Sequence, residues 1–555
     1  MKPRWLCFTL PCLGPLCLAT LFAAATCAGA QQSQRGYRIA GVVVDSATGA
    51  PVPHATVSVF QDAEETQSTS GEDGRFVFSG LAAAKYPLSA TAHGYVREGY
   101  QQHGAYTTGI AVGDGLDSEH LVFRLHRQAV ITGRVTDEFG EPLRQAQIIL
   151  LSFDSGTGSR TPSDQGRTAT DDLGEYRFPH LLPGKYYVAV SAHPWYAQTE
   201  LNSATNSAES GFSANGRSSK PNVNPLLDVV YPVTFSPNVT EGRTAEELIL
   251  VAGETKQADI LVQAVPAVHL HLTNLSTDEN AQINFSARES LFGSLYEAVN
   301  TVSGQISPGE YEVAGLPPGD IALEVMQNGS QSRTSRTIRT NLRGSDSLAV
   351  AGSGATANVT GRVILHDQDE SPEQGQVSLR NENNQNASTA LQQDGTFSLS
   401  AVQSDTYKIF VNFPDGEEFI EKLSATGATT HGREVTISGA GDVQLLITAG
   451  QAEGELTGVA KLDGKPTSGV MVLLVPETDE NLEENSHLDQ SDSDGTFALA
   501  EIPPGKYKLM AIEDGWELER TNWSALQPYL EKGQPLEFSA NEKKKVVVQV
   551  QHLKK

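Results

Sequence analysis

Asp494-Gly495-Thr496-Phe497, followed by Ile502-Pro503-Pro504-Gly505-Lys506-Tyr507, is the stretch that decides how the chain is read. Gly495 and Tyr507 are 12 residues apart, and the same interval separates Gly74 from Tyr86, Gly174 from Tyr186 and Gly395 from Tyr407. An aromatic stands two residues after each glycine (Phe76, Tyr176, Phe397, Phe497), and a Lys precedes Tyr86, Tyr186 and Tyr507. A worn copy runs from Gly309 to Ile321, with an aliphatic residue in place of the tyrosine. Such repetition at roughly domain length marks an array of one module.

The interval has a geometric cause. Asp-Gly supplies the positive φ that a tight turn needs, and the strand after it points alternate residues inward. Pro-Gly, as in Leu182-Pro183-Gly184 or Leu316-Pro317-Pro318-Gly319, then suits a second turn. Twelve residues is one strand plus its exit turn. Each repeat opens with period-two alternation around a glycine, as in Ile39-Gly41-Val43, Ile131-Gly133-Val135 and Val359-Gly361-Val363, with Leu456-Gly458-Ala460 a weaker copy. A second strand follows, for example Ala55 to Val59, Gln147 to Leu151 or Val470 to Val475. An apolar strand closes each repeat: Leu121 to Leu125, Asp259 to Val265, Ser347 to Val350, Val443 to Thr448 and Val546 to Val550.

Short strands punctuated by Gly and Pro, with no sustained helical stripe, predict an all-β chain: a tandem array of about five antiparallel β-sandwich domains after a signal peptide. The expected divisions are a signal peptide at 1–30, repeat 1 at 31–127 and repeat 2 at 128–265. A degenerate repeat 3 at 266–352, repeat 4 at 353–450 and repeat 5 at 451–555 complete them. Within repeat 2, residues 198–224 are rich in Ser, Asn, Ala and Gly and are expected to form a long exposed loop.

Lys2 and Arg4, the apolar run Leu16 to Ala25 and the small residues Ala28-Gly29-Ala30 have the order of a secretory signal, cut between Ala30 and Gln31. A lipid anchor on Cys27 is the alternative, but Ala24 and Thr26 depart from the Leu-x-small-Cys pattern. Cys7, Cys12, Cys17 and Cys27 all lie in this segment, so the processed chain would hold no thiol. A disulfide framework, a Cys-ligated zinc and a thiol nucleophile are then excluded together. The expected location is secreted, periplasmic or cell-surface, with no transmembrane segment in the mature chain. The formal net charge of −27 disfavours nucleic acid, whose phosphates require a concentrated basic surface.

Two constellations invite a chemical reading. His431-Gly432-Arg433-Glu434 has the His-x-x-Glu spacing of a zinc site, with later histidines at His487 and His552. It runs into a strand, however, and the further histidines fall in another repeat. Asp492-Ser493-Asp494-Gly495, with Asp489 upstream and Glu501 downstream, resembles the latter part of a calcium loop. Gln490 occupies the first ligand position and the flanks predict strands, so a hairpin turn beside an acidic patch is the simpler reading. No nucleophile elbow, Walker loop or dinucleotide fingerprint occurs. We therefore assign no catalytic, cofactor-binding or metal residues, and expect no cofactor and no enzyme. Trp195, Tyr196, Trp516 and Trp523 are candidates for stacking on a sugar ring, against core packing as the alternative.

Gly41-Val42-Val43-Val44-Asp45, Gly49, Pro51, Asp73-Gly74-Arg75-Phe76, Leu81 and Tyr86 together resemble the carboxypeptidase regulatory-like domain. Gly133 to Asp137, Gly140, Pro142, Gly174 to Phe178 and Leu182 to Tyr186 do the same. The likeness is fair in repeats 4 and 5 and poor in repeat 3, where Leu270 replaces the opening glycine. It implies a transthyretin-like or carbohydrate-binding-like β-sandwich and an accessory or scaffolding role, since no peptidase accompanies the repeats. The expectation is a non-catalytic binding or structural protein of the bacterial envelope whose partner is a surface protein or polysaccharide. A carbohydrate-binding protein, or an accessory subunit of a secreted hydrolase, is the alternative.

Overall fold

In the computed structural model, residues 36–553 are described, apart from 62–63, 153–161, 200, 202–223, 225, 276–281, 293–295, 329–332, 350–355, 366–373, 382–385, 415, 440, 451–453, 480–481 and 483. The signal-peptide reading and most of the 198–224 loop lie outside these residues.

Five opening strands organise the chain: Tyr37–Asp45, Ala129–Thr136, Val268–Thr273, Thr356–Leu365 and Gly454–Leu462. Each has the strand after the glycine turn on one side, antiparallel: Arg75–Leu81, Glu175–Leu181, Glu310–Leu316, Thr396–Gln403 and Thr496–Ile502. On the other side lies the closing strand, and that pairing is parallel in all five, from Gly41 beside Leu121 to Gly458 beside Val546. The opener and closer are thus a parallel pair within sandwiches built mainly of antiparallel pairings. The closing strand returns to the first sheet in the direction of the opener, after the chain has built a second sheet around strands such as Thr56–Gln61 and Met471–Pro476. A crossover of that length permits parallel pairing, which a short hairpin cannot.

A separate apolar core fills each sandwich, seen in the groups around Ile39 and Phe123, Ile131 and Val188, Leu272 and Leu323, Val359 and Ile447, and Leu456 and Phe497. Two cores continue through the second sheet to its far face. In repeat 5 the helix Trp523–Leu530, which the sequence reading did not anticipate, covers Met471, Leu473 and Met510. In repeat 2, Val233 and Phe235, joined by Leu291 of repeat 3, cover Ile149 and Leu151.

The recurrent residues have mechanical roles. Gly74, Gly174, Gly395 and Gly495 all sit at φ between 75 and 77°. Their carbonyls accept from the amides of Val43, Val135, Val363 and Ala460 on the opening strands. The aromatic two residues later pairs with the opener's glycine: Gly41 with Phe76, Gly133 with Tyr176, Gly361 with Phe397, Gly458 with Phe497. In the third repeat the register places Leu272, rather than the expected Leu270, opposite the turn aromatic Tyr311. Leu272 is buried there, and the Tyr311 ring packs on Phe285 at 5.4 Å.

Each interval tyrosine also ties its exit turn. Tyr86, Tyr186, Tyr407 and Tyr507 donate their hydroxyls to the carbonyls four residues back, Ala82, Leu182, Gln403 and Pro503, at 2.9–3.1 Å. Tyr507→Phe should therefore destabilise the fifth repeat by about 1 kcal/mol, the net worth of one such bond, in a denaturant titration. An unchanged midpoint would show that the hydroxyl is dispensable.

Every repeat is joined to its neighbour by polar contacts. Between repeats 1 and 2, Gln128 donates its backbone amide to the Gly94 carbonyl and its side chain to the Tyr95 carbonyl, both at 2.9 Å, beside Asp45, which accepts from Arg127 Nε at 2.6 Å and from the Tyr95 hydroxyl at 3.0 Å. Burial opposes its ionisation, yet hydrogen bonds from Thr48, Arg127 and Tyr95 hold the carboxyl far below the ordinary carboxylate range. Between repeats 3 and 4 the sheets run together through the pairing of Ser335 with Asn386. Between repeats 4 and 5, Glu484 takes Lys408 at 2.8 Å and Arg433 at 3.2 Å.

The joint between repeats 2 and 3 is ionisable and largely buried. His269 faces Glu312 through Nδ1 and Asp228 through Nε2, both at 2.7 Å. Burial lowers its pKa, but the two carboxylates outweigh that and raise it above 6.5. Glu289 accepts from the Val233 amide, and Arg167 pairs with Glu297. Burial, helped by Glu297 and opposed by the Val233 amide, pushes the Glu289 carboxyl from its ordinary 4.5 up to about 8. Both groups bind a proton more tightly folded than unfolded. Their stabilisation is complete below the unfolded values and is lost as pH rises, through 4.5 to 8 for Glu289 and through the raised value for His269. The melting temperature should fall between about pH 6 and pH 8.5, and Glu289→Gln should flatten the profile. A melting temperature that rises across that range would contradict the assignment.

Candidate binding surfaces

Two surfaces stand out from the sandwich framework. The first lies on repeat 2, where a turn and a loop bring three aromatics together. Asp137 fixes the turn by accepting from the amides of Phe139 and Glu141 at 2.9 and 2.8 Å. Phe139 is thereby left 69% exposed. Trp195 and Tyr196 follow the strand Gly184–Ser191. The Tyr196 ring meets Phe139 edge-on at 6.1 Å and Trp195 edge-on at 5.7 Å. Trp195 is 83% exposed, so most of its surface is open to solvent. Beneath them, Glu138 accepts from the hydroxyls of Tyr196 and Tyr231. Burial and then the Glu138 hydrogen bond push the Tyr196 phenol up to about 12, so it remains a donor at neutral pH. The result is an apolar shelf above a carboxylate that accepts from two phenols.

Sequence reasoning named Trp195 and Tyr196 and missed Phe139. Its signal was available: a phenylalanine in the Asp137 to Pro142 turn, where the corresponding turn of repeat 1, Asp45 to Pro51, carries only small and polar residues between its ends.

The second surface is the contact between the first and last repeats, which closes the chain into a circuit. The Asp492-Ser493 turn of repeat 5 docks on the strand Ile110–Val112 and its approach in repeat 1. Gly109 and Ala111 donate their amides to Asp492 Oδ1 at 2.9 Å and Ser493 Oγ at 2.8 Å, and the Ser493 amide donates to the Gly109 carbonyl at 2.9 Å. Lys85 pairs with Asp492. Gln490 donates to the Gln101 carbonyl at 2.7 Å and to Thr108 Oγ1 at 2.8 Å. Its amide oxygen thus faces His103 Nδ1 at 3.0 Å, which donates.

These positions bear on the alternatives that the sequence left open. Trp516 presents no face to solvent: it is buried, stacks on His103 at 4.7 Å with a 4° interplanar angle, and donates to the Gly469 carbonyl. Trp523 opens the helix and packs partly buried against the same cluster. The acidic run has other employment. Asp494 caps Thr496, Asp489 accepts from the Ala498 amide, and Asp492 serves the contact with repeat 1. His431 and Glu434 face each other across a hairpin turned by Gly432, while His487 and His552 lie in repeat 5, the latter paired with Glu513 at 2.7 Å. Among the described residues no group of three or more His, Cys, Asp or Glu could hold a metal. No described helix is long and apolar enough to cross a membrane.

Fold and surfaces together define a class: a tandem β-sandwich array whose motif residues are spent on turns and cores. Residues 38–125 and 130–215, in the first two repeats, match the carboxypeptidase regulatory-like domain. No curated protein matches the chain. Among solved structures, a streptococcal ancillary pilin is similar at 13% identity, over 56% of this chain and 98% of its own, with a TM-score of 0.19. The minor pilin of Streptococcus agalactiae is similar at 12% identity, over 41% and 97%, with a TM-score of 0.20. The major pilin subunit of Bacillus cereus is similar at 12% identity, over 76% and 99%, with a TM-score of 0.14.

Proposed function

We propose that this protein is a non-catalytic, exported binding or scaffold protein of the bacterial cell envelope, in which β-sandwich modules hold recognition surfaces in fixed relation. The observation that carries the reading is the division of labour among residues. The repeated Gly, Pro and Tyr positions are occupied by turn geometry, while the open aromatic shelf of repeat 2 has no structural task that requires exposure. A carbohydrate ligand is the alternative that this shelf favours, because a pyranose offers an apolar face to an indole. A glycan array probed with the intact chain and with Trp195→Ala separates the two. Binding that Trp195→Ala weakens about tenfold or more would assign sugar recognition to the shelf. Uniform silence would remove the sugar reading and leave the scaffold. Turnover of peptide or glycoside libraries by the purified chain would overturn the non-catalytic reading itself.

A further inference from the structure

A cleft of about 370 Å³ lies where repeat 1 meets repeat 5 and shares no residue with the aromatic shelf. Alternation along Leu121–Leu125 buries Leu121, Phe123 and Leu125 and turns Arg124 outward into this cleft. Repeat 5 contributes Asp514 to the lining, just after the strand Gly505–Glu513. Asp514 occupies the N-cap position of the 3-10 turn Gly515–Glu517 at φ 54°, yet its side chain caps nothing. The other carboxylates of the cleft have hydrogen-bond partners within their own repeats, Glu98 with His126 Nδ1 at 2.9 Å and Glu513 with His552 Nδ1 at 2.7 Å. The side chains of Arg124 and Asp514 make no hydrogen bond or ion pair with a described residue.

A guanidinium from repeat 1 and a carboxylate from repeat 5, both uncommitted, select by charge pattern. A simple anion would gain Arg124 but meet Glu513 and Asp514. A simple cation would gain Asp514 and Glu513 but meet Arg124, and a neutral sugar would leave both free charges unpaired. We propose that this cleft binds a small zwitterion, a free α-amino acid or a dipeptide, with its carboxylate on the Arg124 fork and its ammonium on Asp514. Arginine pairs with carboxylate in two parallel hydrogen bonds, which orients the ligand across the gap. The volume falls at the small end of ligand pockets, in keeping with a ligand of that size. Because its walls come from opposite ends of the chain, the ligand also favours the closed form by mass action.

The test is calorimetric titration of the intact chain with L-alanyl-L-alanine and with free alanine. Two further probes each remove one charge, N-acetyl-alanyl-alanine and alanyl-alanine amide. Saturable binding of at least one zwitterion is expected, weakened about tenfold or more by blocking either end, by Arg124→Met and by Asp514→Asn, and unaffected by Trp195→Ala. Both substituted side chains are exposed, and thermal melting verifies that the variants fold. The blocked probes decide the matter on unaltered protein even where a variant does not fold. Absence of binding by both zwitterions at tens of millimolar, or equal binding of charged and blocked forms, overturns the proposal.

Discussion

Gly458→Val is expected to destabilise the fifth repeat by about 3 kcal/mol or more, among the largest losses available to a single substitution. A Cβ at this position would stand 2.4 Å from Cζ of Phe497 and 2.8 Å from the Val546 carbonyl oxygen. Phe497 is fully buried and cannot swing aside without opening the core. Gly361 is in the same position: a Cβ there would stand 2.4 Å from Phe397 Cζ and 2.8 Å from the Leu445 carbonyl oxygen. The third repeat shows how the constraint can be escaped, since Leu272 fills the space and Tyr311 packs on Phe285 instead. A Gly458→Val, Phe497→Val double variant should accordingly be more stable than Gly458→Val alone, because the two changes act on one shared volume. Chemical denaturation followed by intrinsic fluorescence measures both. A neutral Gly458→Val would show that the ring does not lock the opener.

Trp516→Ala is expected to cost about 3–5 kcal/mol and to expand the molecule, because the indole serves two packings at once. One side completes the cluster of Met471, Ile512 and Leu526 under the helix, and the other stacks on His103 and tilts against Tyr106 at 5.7 Å. His103→Ala removes only the second packing, so it should loosen the contact between the end repeats while leaving the fifth repeat folded. Small-angle scattering of the two variants distinguishes opening from unfolding. A compact His103→Ala particle with a lowered melting temperature would place the indole's importance inside the fifth repeat alone.

The parts of the fold that sequence reasoning reaches are those with local causes. The glycine turns and the Gly–Tyr interval are legible because each depends on residues within one strand and one turn. The parallel closers are not, because alternation gives a strand's faces and says nothing of its neighbour. Met471–Pro476 is buried at every residue, and Ile148 to Leu151 likewise. Such unbroken apolar runs signal cover on both faces of a sheet, yet the eight-residue helix that supplies it in repeat 5 is too short to show a sustained stripe and contains Pro528. Trp516 reads from sequence as a stacking candidate for a related reason: its partner His103 lies at the other end of the chain. The Gln490 network has no periodic pattern at all, and only folding brings those side chains together.

Closure of the array through its end repeats is the claim on which the cleft and its proposed ligand rest. All four native cysteines lie in the first 27 residues, so a chain begun at Gln31 accepts a single engineered pair. Ala111 and Ser493 are joined backbone to side chain at 2.8 Å, and Ala111→Cys with Ser493→Cys should cross-link under mild oxidation. The account predicts an intramolecular disulfide in a monomer, formed at a rate independent of protein concentration. A pair that stays reduced in the folded chain, or that links only between molecules, would contradict it.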